Sequence, residues 1–181
     1  QLGADPLLVA CQLVQGLQSI VTRNINPLQS VVLSVTKIHC GNATNIIADD
    51  CMIEGTVRCF SEEVLQAVET RMAKICQDLC SAFECEGQFV FQRSYPATIN
   101  HAAQAQYMRE VAVALLGQDQ VVNFTPTMGS EDFSFFLQEK PGCYFALGNG
   151  DGDHRDLGHG MGPCNLHNPS YDFNDALIPI G

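Results

Sequence analysis

His167 is the strongest candidate for a metal ligand in this sequence. It lies in residues 162–175, a run without regular apolar spacing, where Asn165 and Asn168 could hydrogen-bond the imidazole and fix its tautomer. Three aromatic or acidic side chains follow that could pack beneath the ring: Tyr171, Asp172 and Phe173. A histidine in a loop is more commonly a structural residue with its own hydrogen-bond partner. Residue types alone therefore leave metal ligation and a structural role both open.

Arg58 and Ser130 are candidates for binding an anionic group of a substrate. A guanidinium pairs with a carboxylate through two parallel hydrogen bonds, which supplies both energy and orientation. The alternative for Arg58 is an ion pair with Glu54, which is expected on the same strand face. Ser130, which follows Gly129, could place a hydroxyl and helix N-terminal amides near an anion. Its alternative is to serve as the N-cap of a short helix.

The adjacent acids and the remaining histidines in loops or at strand ends are weaker candidates. Glu131 and Asp132 are neighbours in the first turn of a predicted helix, so they point apart and complement the helix dipole instead of forming a catalytic pair. His154 and His159 are five residues apart in a glycine-rich loop, a spacing that fits no helix or hairpin, and we expect them to be solvated. His39 stands at a strand end and is expected at a surface or interface.

The cysteines predict packed thiols more than a disulfide framework. There are nine, an odd number, and no Cys-x-x-Cys pair that would suggest a structural zinc site. Cys76 and Cys80 are four residues apart on a helical pattern, and Cys51 and Cys59 fall on the apolar face of a predicted strand. Free cysteine behaves as a small hydrophobic residue, so we expect reduced thiols in the core.

Composition excludes several classes of partner. The formal net charge is −11 with only 9 basic residues, and these form no cluster, which argues against nucleic acid and anionic membrane surfaces. No apolar run approaches the roughly 18 residues of a membrane span. The first residues lack the basic start of a signal peptide. We therefore expect a cytoplasmic protein.

The first half of the chain predicts helices and strands in the order α-β-β-α-β. Residues 5–22 carry apolar side chains at helical spacing behind a proline suited to a first turn: Leu7, Cys11, Val14, Leu17 and Val21. Residues 30–38 and 51–60 are predicted to pair as strands, the second with clean alternation. Ser61 can cap a second helix, whose apolar stripe is Leu65, Val68, Met72, Ile75, Leu79 and Phe83. A further strand is predicted at residues 88–95.

The second half has a different character after Pro96. Residues 101–116 predict a helix that ends at Gly117, with an apolar stripe of Ala105, Met108, Val111, Ala112 and Leu115. Residues 121–124 are a candidate short strand, and residues 142–147 a candidate buried strand that leads into a long glycine-rich loop. Long loops on a rigid sheet are where functional sites are commonly built.

Five segments together resemble one family of enzymes. Residues 129–133, 148–151 and 166–175 are similar to the C-terminal part of the hippurate hydrolases and indole-acetyl-amino-acid hydrolases, which are metal-dependent amidohydrolases. Residues 38–49 and 54–60 are similar to the dimerisation domain inserted in the same family. The five motifs keep the family's order and span nearly the whole chain, so the resemblance is specific.

The resemblance implies a fold of two parts. Residues 1–96 would form a ferredoxin-like, two-layer α+β lid or dimerisation domain without its first strand. Residues 97–181 would form the C-terminal part of a three-layer α/β/α catalytic domain of the zinc-peptidase type. The chain would then be an internal fragment. The family's N-terminal half carries a Cys/His metal motif, paired glutamates with the catalytic base, and two further histidines, none of which occurs here.

The resemblance also implies roles for individual residues. His167 would be one ligand of a site that holds two divalent metal ions in the intact enzyme, with Zn, Mn, Co and Ni not distinguished by the sequence. Arg58 and Ser130 would contact a small N-acyl amino acid substrate. Asn45 would reach the active site of the neighbouring subunit and help to hold the substrate carbonyl, with an ordinary turn asparagine as the alternative. Ala48 replaces a proline usual in that hairpin.

Assembly follows from the strand expected at residues 30–38. This strand is apolar and carries one charge, Lys37, so little in its sequence discourages pairing with another chain. A homodimer through the lid domain is expected, with residues 1–22 on the same interface. The isolated chain would be inactive and bind no metal tightly. A different interpretation is a non-catalytic dimerisation or peptide-binding module.

Overall fold

The computed structural model describes residues 3–150 and 166–181. Within them the chain is a mixed α/β structure with four α-helices and one two-stranded antiparallel sheet. The elements, in chain order, are α1 Pro6–Arg23, β1 Val31–Cys40, β2 Cys51–Cys59, α2 Glu62–Ala82, α3 Ala102–Leu116 and α4 Phe133–Glu139. Two 3₁₀ turns, Gln118–Gln120 and Asp175–Leu177, complete the described regular structure.

Helices α1 and α2 begin where local side chains satisfy their first amides. Asp5 Oδ1 accepts a hydrogen bond from Leu7 N at 3.0 Å, and the proline expected in the first turn of α1 follows directly. Ser61 Oγ accepts from Val64 N at 3.4 Å, which confirms the predicted cap of α2. These two starts were accessible to sequence reasoning because a cap is a contact between residues close in the chain.

The main core lies between one face of the sheet and helices α1 and α2. Ile20 of α1 and Val68 of α2 are both fully buried and meet Leu33 of β1. Leu17 and Val64 complete the buried cluster. Every second residue of β1 and β2 points to this side of the sheet and packs around the buried cluster. Burying each large side chain contributes roughly 1.5–3 kcal/mol, so this cluster is the principal stabilising feature of the first half.

The apolar stripe predicted for α1 is partly wrong. Leu7 is 48% exposed and Cys11 is exposed, whereas Val9 and Ala10 are buried. The helix is therefore rotated from the orientation that the stripe suggested, because its N-terminal part packs on α2. The α2 stripe is closer to the prediction, with Cys76 and Cys80 buried beside it. Every cysteine of the described residues has a free thiol.

The opposite face of the sheet is mostly polar and carries Arg58 as well as the charged residues Lys37 and Glu54. Lys37 pairs with Glu54 in the β1–β2 register, and the two side chains form an ion pair at 3.0 Å. Arg58 lies opposite Val32. The expected alternative of an Arg58–Glu54 pair is therefore wrong, because the cross-strand lysine occupies that carboxylate. Both charges are exposed, so this ion pair stabilises the fold little.

A β-bulge between Val35 and Lys37 makes a glycine necessary on the facing strand. The register shift leaves Thr36 as the additional residue of β1, and Gly55 of β2 stands opposite Val35. A Cβ atom added at Gly55 would lie 2.4 Å from the backbone oxygen of Ser34. The two strands approach each other so closely at the bulge that only glycine fits without moving the backbone.

The structure corrects three predicted strands. Residues 88–95, 121–124 and 142–147 form no strand, and the described residues contain only β1 and β2. A strand needs a neighbour for its backbone hydrogen bonds, and in the described residues no continuous backbone ladder forms beside these three segments. Residues 142–147 were expected to be buried, yet Phe145 is 56% exposed.

Side chains hold residues 88–95 in place instead. The Arg93 guanidinium binds three side chains on one face of α2. It contacts the Glu62 carboxylate, Gln66 Oε1 at 2.8 Å and Glu69 Oε2 at 2.7 Å. The segment therefore runs along α2, although the sheet does not include it.

Helix α3 was predicted with nearly correct bounds and ends at Gly117, whose φ of 91° only glycine adopts readily. None of its residues is buried, and Leu115, in the predicted stripe, is 66% exposed. The apolar spacing gave the helix correctly, but no described element covers that stripe. Across the described ranges, no helix is both long and apolar enough to span a membrane.

Replacing Gly55 with alanine is expected to destabilise the protein by about 1–3 kcal/mol, since the new methyl group would meet backbone and not a flexible side chain. Urea unfolding measures the change. Gly3→Ala is the matched control, because a Cβ atom there meets nothing within 4 Å. Equal stability of the two variants would contradict the close approach of the strands at the bulge.

Candidate functional site

Arg58 links the polar face of the sheet to the second half of the chain. Its Nη1 donates a hydrogen bond of 2.6 Å to the backbone oxygen of Met128. Met128 directly precedes Gly129 and Ser130, so the contact brings the two predicted anion-binding residues close together. The side chain of Arg58 is exposed. A guanidinium has five N–H donors, and those not used by Met128 can still pair with a carboxylate.

Ser130 does not cap helix α4, which corrects one sequence prediction. The helix begins at Phe133, and the amide of Phe133 donates to Glu131 Oε1 at 3.2 Å. Ser134 Oγ donates to the backbone oxygen of Glu131 at 2.6 Å. The glutamate therefore organises this turn, because its longer side chain curls back on its own backbone. Ser130 is exposed beside the turn.

Glu131 is held by a tyrosine that sequence reasoning missed. The Tyr144 hydroxyl donates to Glu131 Oε2 at 2.8 Å. This hydrogen bond lowers the pKa of Glu131 and raises the pKa of Tyr144. The carboxylate is thus kept ionised and oriented, as a structural group and not as a proton donor near neutral pH. No local spacing signals the pair, since 13 residues separate its members.

Asn100 and His101 fix the backbone around Tyr144. The Asn100 side chain accepts from Tyr144 N and donates to Tyr144 O, both at 2.7 Å. His101 Nδ1 accepts from Gly142 N at 3.2 Å, and His101 N donates to Gly142 O at 3.1 Å. His101 is therefore a structural histidine here. These contacts replace the strand ladder expected for residues 142–147.

His167 stands exposed on a tight turn. Its φ of 71° lies in the left-handed region, which is uncommon for a residue with a side chain. Asn168 Oδ1 accepts from Ser170 N at 2.9 Å, and Asn168 O accepts from Tyr171 N at 2.9 Å. The carbonyl group of the Asn168 side chain shapes the turn and does not hold the imidazole, contrary to expectation. Asn165, the other predicted partner, lies outside the described residues.

The segment after His167 is tied to the loop at residues 148–150 by one side chain. Asn149 Nδ2 donates to Asp172 O at 2.7 Å, and Asn149 Oδ1 accepts from Asn174 N at 2.9 Å. Tyr171 and Phe173, two of the side chains that could pack beneath the imidazole, pack on each other, with ring centroids 4.9 Å apart and an edge-to-face arrangement. Two of the segments that resemble the family, the loop at residues 148–150 and the segment after His167, are therefore in contact. His167 lies at the edge of this contact.

Asn45 is separate from the other candidates. It lies in the turn of the loop between β1 and β2 and is exposed. Among the described residues, no hydrogen bond joins it to Arg58, Ser130 or His167. His39, at the end of β1, is exposed, as expected for a surface residue. His154 and His159 lie outside the described residues.

The described residues do not by themselves supply a complete metal site. They contain no group of three or more His, Cys, Asp or Glu side chains that could hold a metal ion. A catalytic zinc site uses three protein ligands and keeps one open position. The imidazole of His167 is exposed and therefore accessible from solvent.

Comparison with known proteins gives the family. The model of peptidase family M20/M25/M40 matches residues 9–178. The chain is 33% identical over 175 residues to the putative amidohydrolase YhaA of Bacillus subtilis, covering 96% of this chain and 42% of that protein. It is 35% identical to the hippurate hydrolase of Campylobacter jejuni, and the match covers 96% of this chain and 43% of that protein.

A solved structure agrees with these sequence matches. The Bacillus subtilis YXEP protein, described as a dinuclear metal-binding peptidase of the M20 family, superposes with a TM-score of 0.65 at 29% identity. The match covers 77% of this chain and 35% of that one. The chain thus spans about two fifths of the length of the curated relatives it matches. From the family match over residues 9–178 and the identity to these relatives, the chain belongs to peptidase family M20/M25/M40.

Proposed function

We propose that this chain is part of a metal-dependent amidohydrolase that hydrolyses the amide bond of N-acyl amino acids of the hippurate type. The observation that carries the proposal is the exposed imidazole of His167 on its left-handed turn, within a chain that is similar to a hippurate hydrolase over 96% of its length. Residues 1–96 are proposed as a ferredoxin-like lid without its first strand. Residues 97–181 are proposed as the C-terminal part of a three-layer catalytic domain.

His167 is proposed as one ligand of a pair of divalent metal ions. When bound, such ions polarise the scissile carbonyl and lower the pKa of a bound water. The remaining ligands and the glutamate base are assigned to an N-terminal half of the enzyme, which this chain does not contain. This chain contributes the imidazole of His167. The hydrogen bonds of Asn149 to Asp172 and Asn174 tie the segment after His167 to residues 148–150.

Arg58 and Ser130 are proposed to bind the carboxylate of the substrate. The bond from Arg58 to Met128 O holds the guanidinium beside the segment that carries Ser130. Neither side chain is buried, so a substrate can reach both. In this arrangement Arg58 has two functions, since it positions the loop through one nitrogen and binds the carboxylate through others.

Asn45 is proposed to act on the site of a second subunit in a homodimer. Its exposed position in the β1–β2 loop, without a bond to the other candidates, suits a residue that acts outside its own chain. In the described residues β1 pairs only with β2, so its other edge is available for pairing. We propose a cytoplasmic location, which agrees with the free thiols.

In the full-length enzyme, His167→Ala should lower hydrolysis of hippurate by more than about 100-fold, since loss of even an outer partner of a ligand costs roughly 10–100-fold. Bound metal, measured by elemental analysis, should fall in parallel. His39→Ala is the matched control, another exposed histidine with no proposed role. Near-normal turnover and metal content in His167→Ala would contradict the assignment. A wild-type protein that hydrolyses no N-acyl amino acid would favour the non-catalytic module.

Arg58→Ala should weaken turnover of hippurate by roughly 10–100-fold in kcat/KM, because a hydrogen bond to a charged group contributes about 1.5–3 kcal/mol. Hippuramide, which lacks the carboxylate, separates the two functions of Arg58. If the guanidinium binds the carboxylate, kcat/KM for hippuramide changes little. Equal losses on both substrates would mean that Arg58 only positions the loop at Met128.

Light scattering of the full-length enzyme should give the mass of a dimer. A mass equal to one chain at every concentration would exclude pairing through β1 and with it the proposed role of Asn45.

A further inference from the structure

Two cysteines face each other at the end of the hairpin that carries Asn45. Cys40 is the last residue of β1, Cys51 is the first residue of β2, and the two are directly paired in the antiparallel register. The Cys40 thiol is a direct neighbour of the Cys51 thiol and contributes to the raised pKa of Cys51. Both thiols are free and half-buried, on the same face of the sheet as Leu33 and the core.

The spacing of such a pair fits a disulfide without movement of the backbone. Directly opposed residues of an antiparallel pair have Cα atoms about 4.5–5.5 Å apart. Disulfides join Cα atoms that are about 4.4–6.8 Å apart. Cys40 Sγ now contacts Asp50 O at 3.4 Å, so its sulfur already lies at the base of the loop next to β2.

We propose that Cys40 and Cys51 are a modification site, at which exchange with a low-molecular-weight disulfide joins them in a reversible cross-link that closes loop 41–50. Cys40 attacks first. Burial, followed by the hydrogen bond with Cys40, raises the pKa of Cys51 to about 11, so Cys51 stays protonated and is the poorer initial nucleophile.

The exchange balances in two steps. The Cys40 thiolate attacks one sulfur of the small disulfide, the S–S bond breaks, and a small thiolate leaves. Cys51 Sγ then attacks Cys40 Sγ in the mixed disulfide, the second small thiolate leaves, and the proton of Cys51 passes to it. Two protein thiols are oxidised, and one small disulfide is reduced to two thiols.

The cross-link bears on function through Asn45. Loop 41–50 is attached to the sheet through these two residues, and a covalent bond at its base limits the positions that its tip can reach. This consequence rests on the proposed function, whereas the cross-link itself does not. The test therefore measures formation of the disulfide and not enzyme activity.

Other thiols of the chain provide the comparison. Cys76 and Cys80 also contact each other, but both project from helix α2 into the core, and a Cβ atom on Gly87 would lie 2.8 Å from Cys80 Sγ. Cys11 interacts electrostatically with Cys51 and is exposed on α1. The pairing of adjacent strands favours Cys40 over Cys11 as the partner of Cys51.

The full-length protein is incubated with oxidised glutathione, alkylated without reduction and digested with a protease that cleaves at aspartate. Cleavage at Asp49 or Asp50 separates the two cysteines, so a cross-link appears in mass spectrometry as two joined peptides. We expect a Cys40–Cys51 link in most molecules and its loss after treatment with dithiothreitol. Cys40→Ser and Cys51→Ser should abolish it, and Cys76→Ser should retain it.

Two results would overturn the proposal. One is glutathione retained on Cys40 without a link to Cys51, and the other is a link between Cys51 and Cys11. The wild-type peptide map decides the question even if a serine variant fails to fold. Peptide mapping does not measure hydrolysis of a substrate. Its result is therefore independent of whether the proposed amidohydrolase activity is found.

Discussion

Burial of one face of a two-stranded sheet under helices α1 and α2 is the constraint on which the first half of the structure depends. Ile20 and Val68 lie fully buried where the two helices meet Leu33 of the sheet. This packing fixes which face of β1 and β2 is apolar, and alternation along the strands then assigns Arg58 to the other face. A shift of one residue in register would turn the guanidinium toward the core, so the core determines the position of a proposed substrate contact.

The candidate site is divided among segments that the structure joins only in part. Arg58 is tied to the carbonyl of Met128, and Asn149 is tied to the segment that follows His167. Asn45 remains at the hairpin turn with no such link. The described residues bring these groups together only in part, in a chain that spans about two fifths of the length of the curated relatives it matches.

Sequence reasoning succeeded where structure depends on nearby residues. The proline in the first turn of α1, the cap at Ser61 and the pairing of β1 with β2 follow from local patterns. It failed for residues 88–95, because a strand exists only when another segment lies beside it. It also missed the contacts of Arg58 with Met128 and of Tyr144 with Glu131, since no periodicity links residues 70 and 13 positions apart. The family motifs identified His167, but its left-handed turn was not predicted.

We propose that the hairpin of one subunit, through Asn45, completes the site that His167 anchors in the other. Mixing full-length His167→Ala and Asn45→Ala subunits, each inactive by itself, tests it directly. A mixed dimer contains one site with an intact His167 and an intact Asn45 from the partner. Equal mixing and exchange of subunits should restore about a quarter of wild-type activity, since half of the dimers are mixed and each has one complete site. A mixture as inactive as its components, despite confirmed exchange of subunits, would contradict the claim.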